Sequence, residues 1–132
     1  MELTSNKVVI NADKELIKEF LLIPSNIWHL LPQDKVSEFK SDANGCAFKV
    51  QGGITISLVN NGTTSNTLLL KSGDKTPFPF ELTIHLESID KNTEGYISFN
   101  GEVNMFLKMM VEKPLAALFN YMSEKLKSHF EQ

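Results

Sequence analysis

The feature that most constrains this chain is a long apolar stripe at its carboxy-terminal end. From Asn104 to Gln132, the side chains Leu107, Val111, Leu115, Leu118, Met122 and Leu126 recur at three- and four-residue steps. That spacing predicts one long amphipathic helix with a single buried face. Ahead of it, Lys35–Ser41, Cys46–Gln51, Ile54–Asn60, Asn66–Lys71, Phe80–Glu87 and Glu94–Val103 read as strands. The links between them are short and rich in turn residues, such as Gly52-Gly53, Asn60-Asn61-Gly62 and Asp90-Lys91-Asn92, so neighbouring strands pair antiparallel. A sheet with one apolar face and a helix with one apolar stripe each need a cover, and each supplies the other's.

The amino-terminal part adds a further strand from near Leu3 to Ile10. Asn11 then caps a short helix with Asp13 and Glu15 in its first turn, where negative charge suits the helix dipole. Leu16, Ile17 and Phe20 form its inner face. Pro24-Ser25-Asn26 breaks it, and Ile27–Leu31 makes a second short helix that Pro32 stops. The expected architecture is α+β: a seven-stranded curved antiparallel sheet wrapped around a long C-terminal helix, with two short helices between strands 1 and 2. At 132 residues it is expected to form a single domain over residues 1–132.

Alternation along the strands assigns an apolar interior. Phe80, Leu82, Ile84 and Leu86 alternate with Glu81, Thr83, His85 and Glu87, and Ile97 and Phe99 alternate with Tyr96, Ser98 and Asn100. Cys46, Phe48 and Val50, then Ile56 and Leu58, then Leu68 and Leu70, continue the same face. The carboxylates and His85 therefore fall on the outer side. The side chains expected to line a cavity between sheet and helix are Phe48, Ile56, Leu70, Leu82, Ile84, Phe99, Leu107, Val111, Leu118 and Met122. Tyr96 and Tyr121 could supply polar contacts through their hydroxyls. Met105, Met109 and Met110 join Met122 as adaptable side chains that at this helical spacing read as core.

Charge and motif content narrow the function classes. The net charge is −3, and all 13 basic side chains are lysines, so the guanidinium fork suited to phosphate and base recognition is missing. Nucleic acid is not an expected partner. His29, His85 and His129 sit on three separate elements without ligand spacing, and no metal or cofactor is expected. The lone Cys46 reads as an inert buried residue. The start of the chain has neither the basic residues nor the apolar run of a signal peptide, and no segment approaches the roughly 20 apolar residues that span a bilayer. Membrane insertion is not expected, and a reducing cytoplasm is.

The element order resembles the helix-grip fold of the START/Bet v allergen-like superfamily, known in bacteria as the SRPBCC or polyketide cyclase/dehydrase-like group. The segment from Asn104 through Phe106, Val111 and Pro114 to Leu115 is similar to the start of the long helix in small bacterial members, with Met105 where those members often carry proline. Asn11-Ala12-Asp13-Lys14-Glu15 is similar to their entry to the first helix, and Trp28-His29-Leu30-Leu31-Pro32 to the end of their second. The resemblance implies a cavity for lipids, sterols, polyketides or other apolar molecules, in a superfamily that includes cyclases, hydrolases, lipid carriers and chaperone binders. No catalytic motif of an enzymatic branch is present to carry over.

The reading that follows is binding of a small hydrophobic molecule without catalysis. A cyclase/dehydrase-type enzyme is the alternative and needs a buried cluster among Tyr96, Tyr121, His85 and Glu81. A protein-interaction or co-chaperone-like module is the third reading, and it predicts an exposed apolar patch over a filled interior.

Overall fold

A computed structural model describes residues 1–131, and Gln132 lies outside the described residues. Strands β1 (Glu2–Thr4) and β2 (Val8–Ile10) precede helix α1 (Lys14–Leu22) and a 3-10 helix (Pro24–Leu30). Strands β3 (Ser37–Ser41), β4 (Gly45–Lys49), β5 (Thr55–Thr63), β6 (Thr67–Ser72), β7 (Phe80–Ile89) and β8 (Asn92–Gly101) follow, and helix α2 (Met105–His129) closes the chain. One antiparallel sheet runs in the order β1-β8-β7-β6-β5-β4-β3, with β2 also paired to β8. The α+β helix-grip architecture expected above is the one found.

The amino-terminal strand differs from expectation in being two strands on one partner. Thr4 faces Ser98 and Val8 faces Gly95, so the first strand carries one residue more than β8 over the same stretch. This is a bulge. Its cause is Ser5, whose Oγ accepts the Ile97 backbone N–H at 2.8 Å and so replaces a main-chain acceptor in the ladder. The first helix also begins later than Asn11. The Ala12 N–H donates to the Ile10 carbonyl and the Ala12 carbonyl accepts from Thr93 Oγ1, which holds the turn against the sheet and leaves Asp13 as the N-cap.

The inner face of α1 is Ile17 and Leu21; Leu16 is exposed and Phe20 is half-buried. Phe20 packs instead against His129 and Phe130, with ring centroids 4.3 and 5.6 Å apart, and ties α1 to the end of α2. Lys18 is buried on the same helix. Its ammonium donates to the carbonyls of Thr64 (2.7 Å) and Ser65 (2.8 Å), which pins the β5–β6 turn to α1.

At its start α2 is capped by Asn104, whose Oδ1 accepts the Leu107 N–H at 2.9 Å. The helix runs through Pro114, packs over β1, β2, β8 and the 3-10 helix, and ends at His129. Val111, Leu115, Leu118, Met122 and Leu126 are buried, joined by Phe119, while Leu107 is only half-buried. Phe119 meets Phe99 of β8 at 5.2 Å between ring centroids, and Phe99 in turn meets Phe80 at 5.0 Å and Phe78 at 6.5 Å. Four phenylalanines thus fill the space between helix and sheet at this end. Met105, Phe106 and Met109 are each at least 73% exposed, and Met110 is exposed as well. Of the methionines read as core, only Met122 is buried in it. The reason is that these four positions lie on the side of α2 turned away from Leu107 and Val111, which face the core.

Two changes measure these contacts. Phe119→Ala should lower stability by about 3–5 kcal/mol through lost burial and a residual cavity, read as a fall in the urea midpoint. Lys18→Met keeps the side-chain volume but removes two charge-assisted hydrogen bonds, and should cost about 1.5–3 kcal/mol in the same assay.

Candidate functional site

An open cleft of about 110 Å³ lies where the middle of α2 meets the loops at the sheet's far side. Pro32, Lys35 and Val36 form one wall, Val50 and Gln51 another, and Pro114, Ala117, Leu118 and Tyr121 of α2 the third. Local chemistry sets each wall. The Pro32 carbonyl accepts from both Lys35 N–H (2.8 Å) and Val36 N–H (3.1 Å), a tight turn that leaves Lys35 exposed and Val36 buried. In the second wall the Gly53 N–H donates to the Val50 carbonyl at 3.1 Å, around a turn in which Gly52 and Gly53 have φ of 95° and 82°. Side chains other than glycine are strained there. On α2, Pro114 has no backbone N–H to give to the preceding turn and places its ring at the cleft.

The lining is mainly apolar, with three polar residues: Lys35, Gln51 and Tyr121. Among the described residues none of the three takes part in a side-chain hydrogen bond or an ion pair. Pro114, Ala117 and Tyr121 continue a stripe that begins with the exposed Phe106 and Met110, since these positions follow one another at three- and four-residue steps.

The side chains expected to line a cavity are brought together, but as core. Phe48, Ile56, Leu70, Leu82, Ile84 and Phe99 lie buried on the sheet's inner face, and Val111, Leu118 and Met122 lie buried on α2 in the same cluster. Leu118 is the member of that set that lines the cleft, and Leu107 packs at the cluster's edge. Tyr121 stands at the cleft as a possible polar contact. Tyr96 does not, because it lies on the outer face with His85, paired across β7 and β8 and stacked at 4.3 Å between ring centroids. Lys7 caps that stack at 5.4 Å from the Tyr96 ring. His85 Nε2 is 2.9 Å from Ser98 Oγ, and burial holds its pKa below the ordinary imidazole value. Glu81 is exposed on that outer face too, so the four groups required by the enzymatic alternative do not converge.

Sequence reasoning missed Pro32, Lys35, Val36, Gln51 and Ala117 as cleft residues. The turn at Gly52-Gly53 and the stop at Pro32 were legible, but nothing local shows that they meet α2. Among the described residues no group of three or more His, Cys, Asp or Glu side chains could hold a metal ion, and no helix is long and apolar enough to cross a membrane.

No protein-family model and no curated protein matches the chain. Solved structures do. A protein from Thermus thermophilus superposes with a TM-score of 0.75 at 13% identity, covering 98% of this chain and 97% of that one. A START superfamily protein from Mycobacterium smegmatis gives 0.71 at 14% identity, over 99% and 97% of the two chains. Norcoclaurine synthase from Thalictrum flavum gives 0.64 at 15% identity, over 98% and 85%. The likeness is one of fold, and the fold is START-like.

Cys46 has no place in the cleft. Its thiol is buried on β4, and burial, with Asp42 adding negative charge nearby, pushes its pKa up to about 12. At pH 8 the native protein should therefore resist alkylation by iodoacetamide and label only as urea unfolds it. Fast labelling without urea would mean that β4 opens in the native state.

Proposed function

We propose that this START-like fold binds a small apolar molecule, without catalysis, in the cleft between α2, the Pro32–Val36 turn and the Val50–Gln51 turn. The observation that carries the reading is the lining itself: six apolar side chains face a concave space, with polar groups only at Lys35, Gln51 and Tyr121. Pockets that hold small molecules have this composition, mostly apolar with a few polar groups to orient the guest. The volume sets the size of that guest. An apolar cavity of about 150 Å³ takes up benzene, so a space of about 110 Å³ with an open side suits a single ring or a short chain. A sterol would need the phenylalanine cluster at Phe99 and Phe119 to move.

In this reading Leu118 touches the ligand, with Val111 and Met122 backing it on the same helical stripe. Phe48, Ile56, Leu70, Leu82, Ile84 and Phe99 belong to the buried core that also holds Leu118, and Leu107 packs against that core. A protein contact is the second reading, favoured by the exposed apolar turn of Met105, Phe106, Met109 and Met110 over a filled interior.

Titration with benzyl alcohol, followed by backbone amide NMR shifts, tests the first reading. Shifts should centre on Val36, Val50, Ala117 and Leu118, and Ala117→Trp, a change at an exposed rim position, should abolish them while the fold is retained. Shifts confined to Met105–Met110, or binding indifferent to Ala117→Trp, would sink it.

A further inference from the structure

We propose that the cleft selects acids: its ligand is a small amphipathic molecule with an apolar body of about one ring and a carboxylate held at the mouth by Lys35, Gln51 and Tyr121. This rests on the cleft being a binding site at all, and adds the chemical class of what it takes.

The charge pattern carries the inference. The chain as a whole is negative, at −3, yet Lys35 is the one charged side chain in the lining. Asp34, next to Lys35, and Glu112, two residues before Pro114, do not line the cleft, and Glu112 is 3.9 Å from the Lys108 ammonium. The Lys35 ammonium itself is in no ion pair among the described residues. A lysine at such a place lays its methylene stem along apolar surface and keeps its charge in water at the rim. An anionic group on a guest would meet that charge without being buried, which avoids the large desolvation penalty of an enclosed ion pair.

The two neutral groups fit the same guest. The Gln51 amide and the Tyr121 hydroxyl are both hydrogen-bond donors, a carboxylate only accepts, and neither donor is engaged elsewhere among the described residues. Three donors and no acidic side chain therefore border one opening. A neutral guest would use the apolar walls equally well and gain little from Lys35. A cationic guest would be repelled by it. The backbone supports the assignment, because the Lys35 and Val36 N–H groups both bond the Pro32 carbonyl. That turn sets Lys35 at the rim and Val36 in the wall independently of any ligand.

Benzoate and benzamide share size and shape and differ in charge, so they separate this inference from the reading beneath it. Both are titrated against the wild-type chain and against Lys35→Gln and Lys35→Arg by amide NMR shifts. Benzoate should bind about three- to tenfold more tightly than benzamide, the range expected of a solvated ion pair supplemented by neutral donors. Lys35→Gln should erase that preference, and Lys35→Arg should restore it. Raising the salt concentration should weaken benzoate alone. Equal binding of the two probes in the cleft would overturn acid selection and leave the cleft standing as a neutral apolar site. A benzoate preference that survives Lys35→Gln would overturn it as well. Failure of both probes to shift any cleft residue would overturn the site and the inference together.

Discussion

The contact between Phe119 of α2 and Phe99 of β8 holds the rest of the structure in register. It sits where the long helix crosses the last and longest-paired strand, and Phe78 and Phe80 close around it. Aromatic side chains bury more area per residue than any others, so a cluster of four anchors the helix by a large share of its apolar stripe. Everything distal to that anchor follows from it. The buried stripe continues to Leu126, where Phe20, His129 and Phe130 join α1 to the helix end. In the other direction Leu107 still packs at the edge of the core, while Met105, Phe106, Met109 and Met110 on the opposite side of the helix are exposed.

The same anchor decides where a ligand could sit. Four phenylalanines occupy the space between helix and sheet around Phe119. The cleft lies beside Pro114, where the helix faces two turns. A rim site is wet on one side and apolar on the other, and that geometry suits a molecule with two chemically different ends. The lone lysine of the lining then has a sign that matters, because a charge at a solvated rim can act on a guest without costing the fold a buried ion.

Much of the fold was legible residue by residue. Alternation in Phe80–Glu87 and the three- and four-residue steps from Leu107 to Leu126 report burial directly, since each side chain's face depends only on its position along its own element. Departures came where a side chain competed with the backbone or where composition was read in place of helical position. Ser5 broke the first strand by accepting a ladder hydrogen bond, and Met105, Met109 and Met110 had the composition of core but lie on the side of α2 away from Leu107 and Val111. Alternation placed His85 outside, and Tyr96, offered as a polar contact for a ligand, is found beside it on that outer face, the two rings stacked on one another.

The sequence by itself determined which faces are apolar, which elements form, and that sheet and helix must cover each other, because these depend on periodicity and on short-range turn chemistry. Tertiary structure decided how completely the two faces fill the space between them, and which distant residues share its opening. Pro32, Gln51 and Ala117 are far apart in the chain and meet only after the sheet has curled and the helix has docked. No local pattern encodes that meeting, since the volume left between packed elements is the small remainder of many side-chain volumes summed across the whole core.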